Sequence, residues 1–193
     1  RLLGVHIADV SHFVRPGSPL DQEARQRGTS VYLVDKVIPM LPEQLSNGVC
    51  SLRPDEDRLT FSAFMTFDAS GRMIARRFAK TRIRSKLRLN YEQAMAIISD
   101  KVPDGLAVVP SEARKVLKET WQLASQMRAR RFSMAALDLE VPEVEVVLDE
   151  HARMTGMLVR PYDESHQLIE ECMVAANEAV ATELWTRGIK ILA

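Results

Sequence analysis

Residues 58–86 read RLTFSAFMTFDASGRMIARRFAKTRIRSK, two long runs rich in aromatic, β-branched and small apolar residues on either side of Asp68-Ala69-Ser70-Gly71. This composition predicts two strands, Arg58 to Asp68 and Arg72 to Lys86, closed by the Asp-to-Gly turn into an antiparallel hairpin. The second run alternates along its length: Arg76, Lys80, Arg82, Arg84, Lys86 and Arg88 share one face, interrupted only by Phe78, while Ala79, Thr81, Ile83, Ser85 and Leu87 take the other. Two physical roles fit such a face. It can follow a phosphate chain, each neutralised phosphate adding to the salt dependence of binding, with Arg82 and Arg84 as the central contacts. It can equally be a solvated face, or an edge protected by its cations against pairing with other chains. No aromatic ladder accompanies the cations, so this surface holds a backbone without reading bases.

Toward the N-terminus, Leu3 to Asp9 is a short apolar run predicted as a buried strand. Asp9 at its end either faces a site or accepts backbone hydrogen bonds at the turn, the second being the commoner role of Asp there. Ser18 as a cap, Pro19 in the first turn and Gly28 as a stop predict a short polar helix from Pro19 to Arg27. Gly28 to Leu52 then reads GTSVYLVDKVIPMLPEQLSNGVCSL. Ile38-Pro39-Met40-Leu41-Pro42 holds the backbone extended close to one aromatic, Tyr32. That ring is either ordinary core or an aromatic kept at a fixed place for a ligand. Pro42 to Asn47 suggests one helical turn, broken at Asn47-Gly48.

Toward the C-terminus, Asn90 caps a helix running to about Ser99, and a Pro103-Asp104-Gly105 turn leads to a longer helix capped by Ser111 and running to about Arg131. Arg128, Arg130 and Arg131 give its last turns a favourable charge. Met134 to Pro142 reads as an irregular link. Val144–Leu148 and Met154–Val159 form a second hairpin. The last and longest helix, about Ser165 to Arg187, has a legible phase at 100° per residue. Ile169, Cys172, Met173, Ala176, Val180 and Leu184 fall on a buried face, with Glu164, Glu171 and Glu178 directed away from it toward solvent. His166, Glu170 and Asn177 lie on the margin, so Glu170 is the carboxylate of the Glu170-Glu171 pair placed to reach a cleft or to pair with a neighbouring Arg. The fold class is α+β, with mixed, largely antiparallel strands packed with helices.

The 193 residues are 46% hydrophobic, enough for a real core. Lys+Arg and Asp+Glu both total 26, so attraction to an anionic partner must come from local patches. Cys50 and Cys172 make neither a disulfide framework nor a metal spacing, and a reducing compartment is expected. No membrane segment, phosphate-binding glycine loop, zinc spacing or nucleophile elbow is present, and His6, His12, His151 and His166 are too scattered to suggest a metal site. Both ends read as strands cut in mid-element, which suggests an excised piece of a longer polypeptide.

Four ordered stretches carry a resemblance. Gly4-Val5-His6-Ile7-Ala8-Asp9-Val10-Ser11-His12-Phe13-Val14, then Gly28-Thr29-Ser30-Val31-Tyr32 with Val37-Ile38-Pro39-Met40-Leu41-Pro42, then Leu45-Ser46-Asn47-Gly48-Val49-Cys50-Ser51-Leu52, and finally His166-Gln167-Leu168-Ile169-Glu170-Glu171-Cys172-Met173 with Ala175-Ala176-Asn177 resemble the catalytic RNB domain of the ribonuclease II and ribonuclease R exoribonucleases, most closely the ribonuclease R branch. The resemblance implies a processive 3′→5′ hydrolysis of single-stranded RNA to nucleoside 5′-monophosphates in the cytoplasm. It also implies two Mg2+ ions on an aspartate cluster, one making a hydroxide and the other taking up charge on the leaving oxygen. That cluster is expected upstream of Arg1, and an arginine motif that contacts the scissile phosphate is expected downstream. Residues 1–193 thus read as an internal fragment of one RNB domain, with no catalytic or metal residue of its own and with cold-shock-like and S1-like RNA-binding domains flanking it in the parent.

What the fragment keeps, on this resemblance, is substrate positioning. Tyr32 matches the tyrosine that stacks on a terminal base and fixes the final product length, and Glu170 matches the glutamate that helps hold the 3′-terminal nucleotide. The partner aromatic of the base sandwich falls at Leu139, within Ala136-Leu137-Asp138-Leu139, where related sequences tend to have Phe; a leucine there gives up stacking worth about 1–3 kcal/mol per base. Two other classes stay open: a catalytically inactive RNA-binding module of the same fold, and a structural domain whose basic strand is only solvated.

Overall fold

The computed structural model describes residues 1–101, 109–134, 136–137 and 143–191. The chain opens with β1 (Leu2–Ala8), then a single helical turn α1 (Val10–Phe13) and the helix α2 (Pro19–Arg27). Helix α2 has the predicted bounds: Ser18 accepts from the Asp21 amide, Pro19 opens the helix, and Gly28 closes it at φ 71°. Two short strands, β2 (Val31–Tyr32) and β3 (Val37–Ile38), pair antiparallel within the proline-held stretch. The single turn expected at Pro42 to Asn47 is a π-helical segment, Gln44–Val49, kinked at Gly48.

The predicted hairpin is β4 (Asp57–Phe67) and β5 (Met73–Arg84), and β1 joins the other edge of β4 to give a three-stranded antiparallel sheet in the order β1-β4-β5. Cross-strand register puts Leu3, Val5, Ala63, Met65 and Phe78 on one face. Helices α3 (Tyr91–Ile98), α4 (Ser111–Ser133) and α5 (Glu164–Thr186) pack against one another, and α5 crosses that face of the sheet. The core is where they meet: Ala63, Met65 and Phe67 of β4 against Leu123, Ala124 and Met127 of α4 and Leu168, Cys172, Ala175, Ala176 and Ala179 of α5. Asn90 caps α3 with a reciprocal capping box through Gln93. Helix α4, by contrast, starts after Pro110 without a side-chain cap, so Ser111 is its first helical residue and not the expected cap. The second hairpin, β6 (Val144–Leu148) with β7 (Met154–Val159), has the predicted bounds. The Pro103-Asp104-Gly105 turn lies outside the described residues.

The opposite face of the sheet carries a buried hydroxyl cluster that alternation alone did not reveal. Thr60 and Ser62 are fully buried, and Ser62 Oγ lies 2.5 Å from Thr81 Oγ1 and 2.7 Å from His6 Nδ1. These hydroxyls satisfy one another, which removes the desolvation cost of burying them.

The turn that closes the central hairpin is pressed against α4. Gly71 has φ 77°, and a Cβ there would meet Gln126 Cβ at 3.1 Å and the Gln126 carbonyl carbon at 3.3 Å. Gly71→Ala is therefore expected to destabilise the chain by at least the roughly 1–2 kcal/mol of a left-handed non-glycine residue. Urea unfolding checks this, and an unchanged midpoint would show that the turn is free to move off the helix.

Candidate nucleic-acid interface

The final helix departs from its predicted phase, and the departure creates a buried, arginine-paired polar site between α5 and α4. Its buried stripe is Leu168, Cys172, Ala175, Ala176 and Ala179, whereas Ile169, Met173 and Val180, expected inside, are exposed. Alanines let α5 approach α4 and the sheet closely, so small residues take the interior and larger ones are displaced outward. Glu171 follows the interior. Predicted to face solvent, it is only 2% exposed. Two arginines of α4 make that burial tolerable: Arg131 donates to Glu171 through Nη2 in a short hydrogen bond, and Arg128 Nη1 lies 3.7 Å away. Hydrogen bonding to Glu171 raises the Arg131 pKa above its usual range, against an opposing effect of burial.

Glu170, the predicted site carboxylate, sits at the mouth of this pair. Its side chain is 38% exposed, accepts from Arg131 Nη2 at 3.1 Å and accepts a short hydrogen bond from the Tyr162 hydroxyl. One turn earlier, His166 stacks on Tyr91 with ring centroids 3.9 Å apart and planes 16° from parallel. Tyr91, Arg88, Asn90, Leu117 and Ile169 line a cleft of about 510 Å³ beside it. Asp163 fixes the start of α5 by accepting from the Ser165 amide and meeting His166 Nδ1 at 2.9 Å. Burial pushes the Asp163 carboxyl up, but the hydrogen bonds from Ser165 and His166 outweigh it and hold the pKa low. The first turns of α5 thus gather Tyr162 and the Arg131 guanidinium around the Glu170 carboxylate, with Tyr91 stacked on His166 one turn earlier and lining the cleft. Sequence reasoning passes over Tyr91 and Tyr162. Their signal is scarcity: the chain has three tyrosines, and all three are exposed.

Tyr32, at 79% exposure, is not core; it projects from the β2–β3 hairpin. That hairpin is braced by its surroundings, since Ser30 Oγ accepts from the Met40 amide at 2.9 Å and Arg27 Nη1 donates to the Pro39 carbonyl at 3.0 Å. Among the described residues no ring contact, hydrogen bond or ion pair joins Tyr32 to the Glu170 group. Leu139 lies outside the described residues.

The basic strand is more neutralised than its sequence suggests. Arg76 is covered by α5 and pairs with Glu183 at 3.2 Å. Lys80 reaches Asp9 at 3.2 Å and Lys86 reaches Asp55 at 3.6 Å. Arg82 and Arg84 share one carboxylate, Asp57, at 3.7 and 2.8 Å, and both guanidinium groups stay more than half exposed. Their pairs are the exposed kind that competes poorly with a phosphate. No aromatic ladder runs along the cations among the described residues, but one further ring joins Phe78 there: Phe61 is opposite Lys80 and stacks at 6.4 Å on Phe78. It arrives from the neighbouring strand, which is why alternation within β5 could not show it. Asp9, at 6% exposure, accepts from Ser11 Oγ at 2.5 Å and from Lys80, and the turn amide of His12 bonds to it as well, so its role is the structural one expected at the turn, reinforced by side chains.

The RNB domain family model matches residues 1–193. This chain belongs to the RNB domain family. A ribonuclease R of Thermotoga maritima is 46% identical over 181 residues, covering 93% of this chain and 25% of its own. Among solved structures, the RNase R of Mycoplasma genitalium in complex with ribose-methylated single-stranded RNA superposes with a TM-score of 0.92 at 35% identity, over 97% of this chain and 29% of that one. The pseudonuclease Ssd1 of yeast shares the fold, with a TM-score of 0.68 at 24% identity over 96% of this chain and 22% of that one. The chain spans about a quarter of the length of the curated relatives it matches.

Within this stretch of the RNB domain, the described residues contain no group of three or more His, Cys, Asp or Glu side chains able to hold a metal ion. The buried acids are already engaged, Asp9 by Ser11 and Lys80 and Glu171 by its arginines. The described residues therefore do not fit a magnesium site, and no step of chemistry is assigned to them through a metal.

The charged groups lend themselves to two measurements. The Ser11 hydroxyl, and to a smaller extent Lys80, hold the Asp9 carboxyl below the ordinary range despite the opposing effect of burial. A depressed folded-state pKa gives stability that is present above the ordinary carboxylate pKa and is lost as pH falls through the folded value. Asp9→Asn should thus narrow the difference between urea midpoints at pH 7 and pH 3, whereas an unaltered difference would show that Asp9 is not linked to acid unfolding. For the ribbon, the double reversal Arg82→Glu with Arg84→Glu should weaken single-stranded RNA binding and lower the log–log salt slope by about 0.7 for each phosphate no longer neutralised. Unchanged slope and affinity would leave β5 as a solvated strand.

Proposed function

We propose that the protein carrying this domain is a processive hydrolytic 3′→5′ exoribonuclease that takes single-stranded RNA and releases nucleoside 5′-monophosphates. The observation that carries this reading is the near-complete match, 46% identical to a ribonuclease R over 93% of this chain and superposing at a TM-score of 0.92 on an RNA-bound RNase R over 97% of it. In this reading the described residues position RNA, and magnesium is held by aspartates outside them. Tyr32 stacks on a base near the 3′ end from its braced hairpin. Glu170 holds the terminal nucleotide: a carboxylate only accepts hydrogen bonds, so on an RNA end it pairs with ribose hydroxyls or base N–H groups. Leu139 takes the place of the second stacking residue, and Arg82 and Arg84 hold backbone phosphates. A parent about four times as long as this chain, as the relatives are, leaves room for the cold-shock-like and S1-like RNA-binding domains that we place on either side. Two free cysteines, Cys50 and Cys172, accord with a cytoplasmic protein.

The second reading, an RNA-binding module without catalysis, is supported by the pseudonuclease that shares the fold. Full-length protein mixed with 5′-labelled single-stranded RNA and Mg2+ separates the two. Shortening of the label to a discrete small product, with mononucleotides released, is expected of the exoribonuclease; retention of intact RNA in a stable complex would establish the binding module. Tyr32→Ala should then lengthen the limit product by one or a few nucleotides with the rate of single cleavage steps little changed, as read on a sequencing gel. An identical limit product would take Tyr32 out of the RNA site.

A further inference from the structure

Glu170 is useful only if its carboxylate is held where an RNA end can reach it, and nothing in α5 itself does this: helical side chains at a surface sample several rotamers. The restraint comes from α4. Arg131 Nη2 sits between two carboxylates, donating to the buried Glu171 and, at 3.1 Å, to the half-exposed Glu170. Glu171 is the fixed end of this bridge, being 2% exposed in the packed stripe of α5 and flanked by Arg128 as well. A guanidinium placed only to join two helices would be expected to use all its donors, yet Arg131 Nε is buried with no partner among the described residues. Leaving a buried donor unsatisfied carries the full desolvation penalty of that group. The group is thus oriented by its Nη2 hydrogen bonds at the expense of its Nε. The same residue also ties down the start of the link that leads toward Leu139, because its carbonyl accepts from the Met134 amide at 3.1 Å and the Ala136 amide at 3.4 Å.

We propose that Arg131, anchored by the buried Glu171, is a positioning residue that aims Glu170 at the 3′-terminal nucleotide of the RNA. The proposal rests on the reading of Glu170 as the residue that holds that nucleotide. Arg131 touches neither substrate nor reacting atoms; it acts through the carboxylate, with Tyr162 donating to Glu170 from the other side. Removing Arg131 should leave Glu170 present but mobile, and so reproduce the loss of Glu170 itself.

The test compares equilibrium binding of two otherwise identical oligoribonucleotides by the full-length protein with divalent cations chelated. One ends in an ordinary ribose and the other in a 2′,3′-dideoxyribose. A hydrogen bond to a charged acceptor is worth enough that the wild type should prefer the ordinary end by roughly tenfold to a hundredfold. Glu170→Gln and Arg131→Met should each bring that ratio toward unity, and the double variant should lower it no further than either alone. Arg131→Lys covers the case in which Arg131→Met fails to fold. Its shorter, single-headed side chain can stay with the immobile Glu171 while releasing Glu170, so the ratio should fall with thermal stability largely kept. A ratio that falls in Glu170→Gln but stays at the wild-type value in folded Arg131→Met or Arg131→Lys overturns the positioning role and leaves Arg131 as a staple between α4 and α5. A ratio unmoved by Glu170→Gln overturns the Glu170 reading, and the proposal with it.

Discussion

A carboxylate in the middle of a packed helix face organises this chain. Glu171 lies among Leu168, Cys172, Ala175, Ala176 and Ala179, where α5 meets α4 and β4, and it is tolerated there because Arg128 and Arg131 reach it from α4. That requirement fixes the rotation of α5 and its height against α4 together. With the helix so placed, Ile169 and Met173 turn outward, Glu170 comes to the surface beside Tyr162, and His166 meets Tyr91 at the first turn of α3. A different rotation of α5 would bury Ile169 at the cost of stranding Glu171, and the cleft would not form.

The sheet plays a different part. Its length and alternation make the β1-β4-β5 unit a rigid platform whose one end is covered by α5 and whose other end carries Lys80, Arg82 and Arg84 in the open. The same strand thus performs two jobs: Arg76 binds the helix layer and the later cations face solvent. Tyr32 stands on a third, separately braced unit, its small hairpin held by Ser30 and Arg27. Side chains carried on rigid, braced pieces need little ordering when a ligand binds.

Much of the molecule is legible in the sequence. The β4–β5 and β6–β7 hairpins and the capped helix α2 follow from signals within a dozen or so residues, namely alternation, turn residues and caps, which act locally and survive any tertiary arrangement. Family resemblance singles out Tyr32 and Glu170, and the structure finds both at the surface on braced elements. The departures share a cause. Helical phase sends Glu171 to solvent because it weighs hydropathy and knows nothing of arginines on another helix. Alternation along β5 misses the aromatic beside the cations because Phe61 belongs to the adjacent strand, and Tyr91 and Tyr162 are each unremarkable until both are seen near α5.

The sequence by itself therefore determined which segments are strands and helices, where most of them begin and end, and the family to which the chain belongs, since all of these rest on patterns of neighbouring residues. Only the tertiary structure decided which face of α5 is buried, that Glu171 is a buried, arginine-paired anchor, and how far the basic strand is neutralised. Each of those depends on a partner tens of residues away, such as Arg131 for Glu171 or Asp57 for Arg84, and the free energy of a buried or paired charge is set by that partner and not by the residue alone.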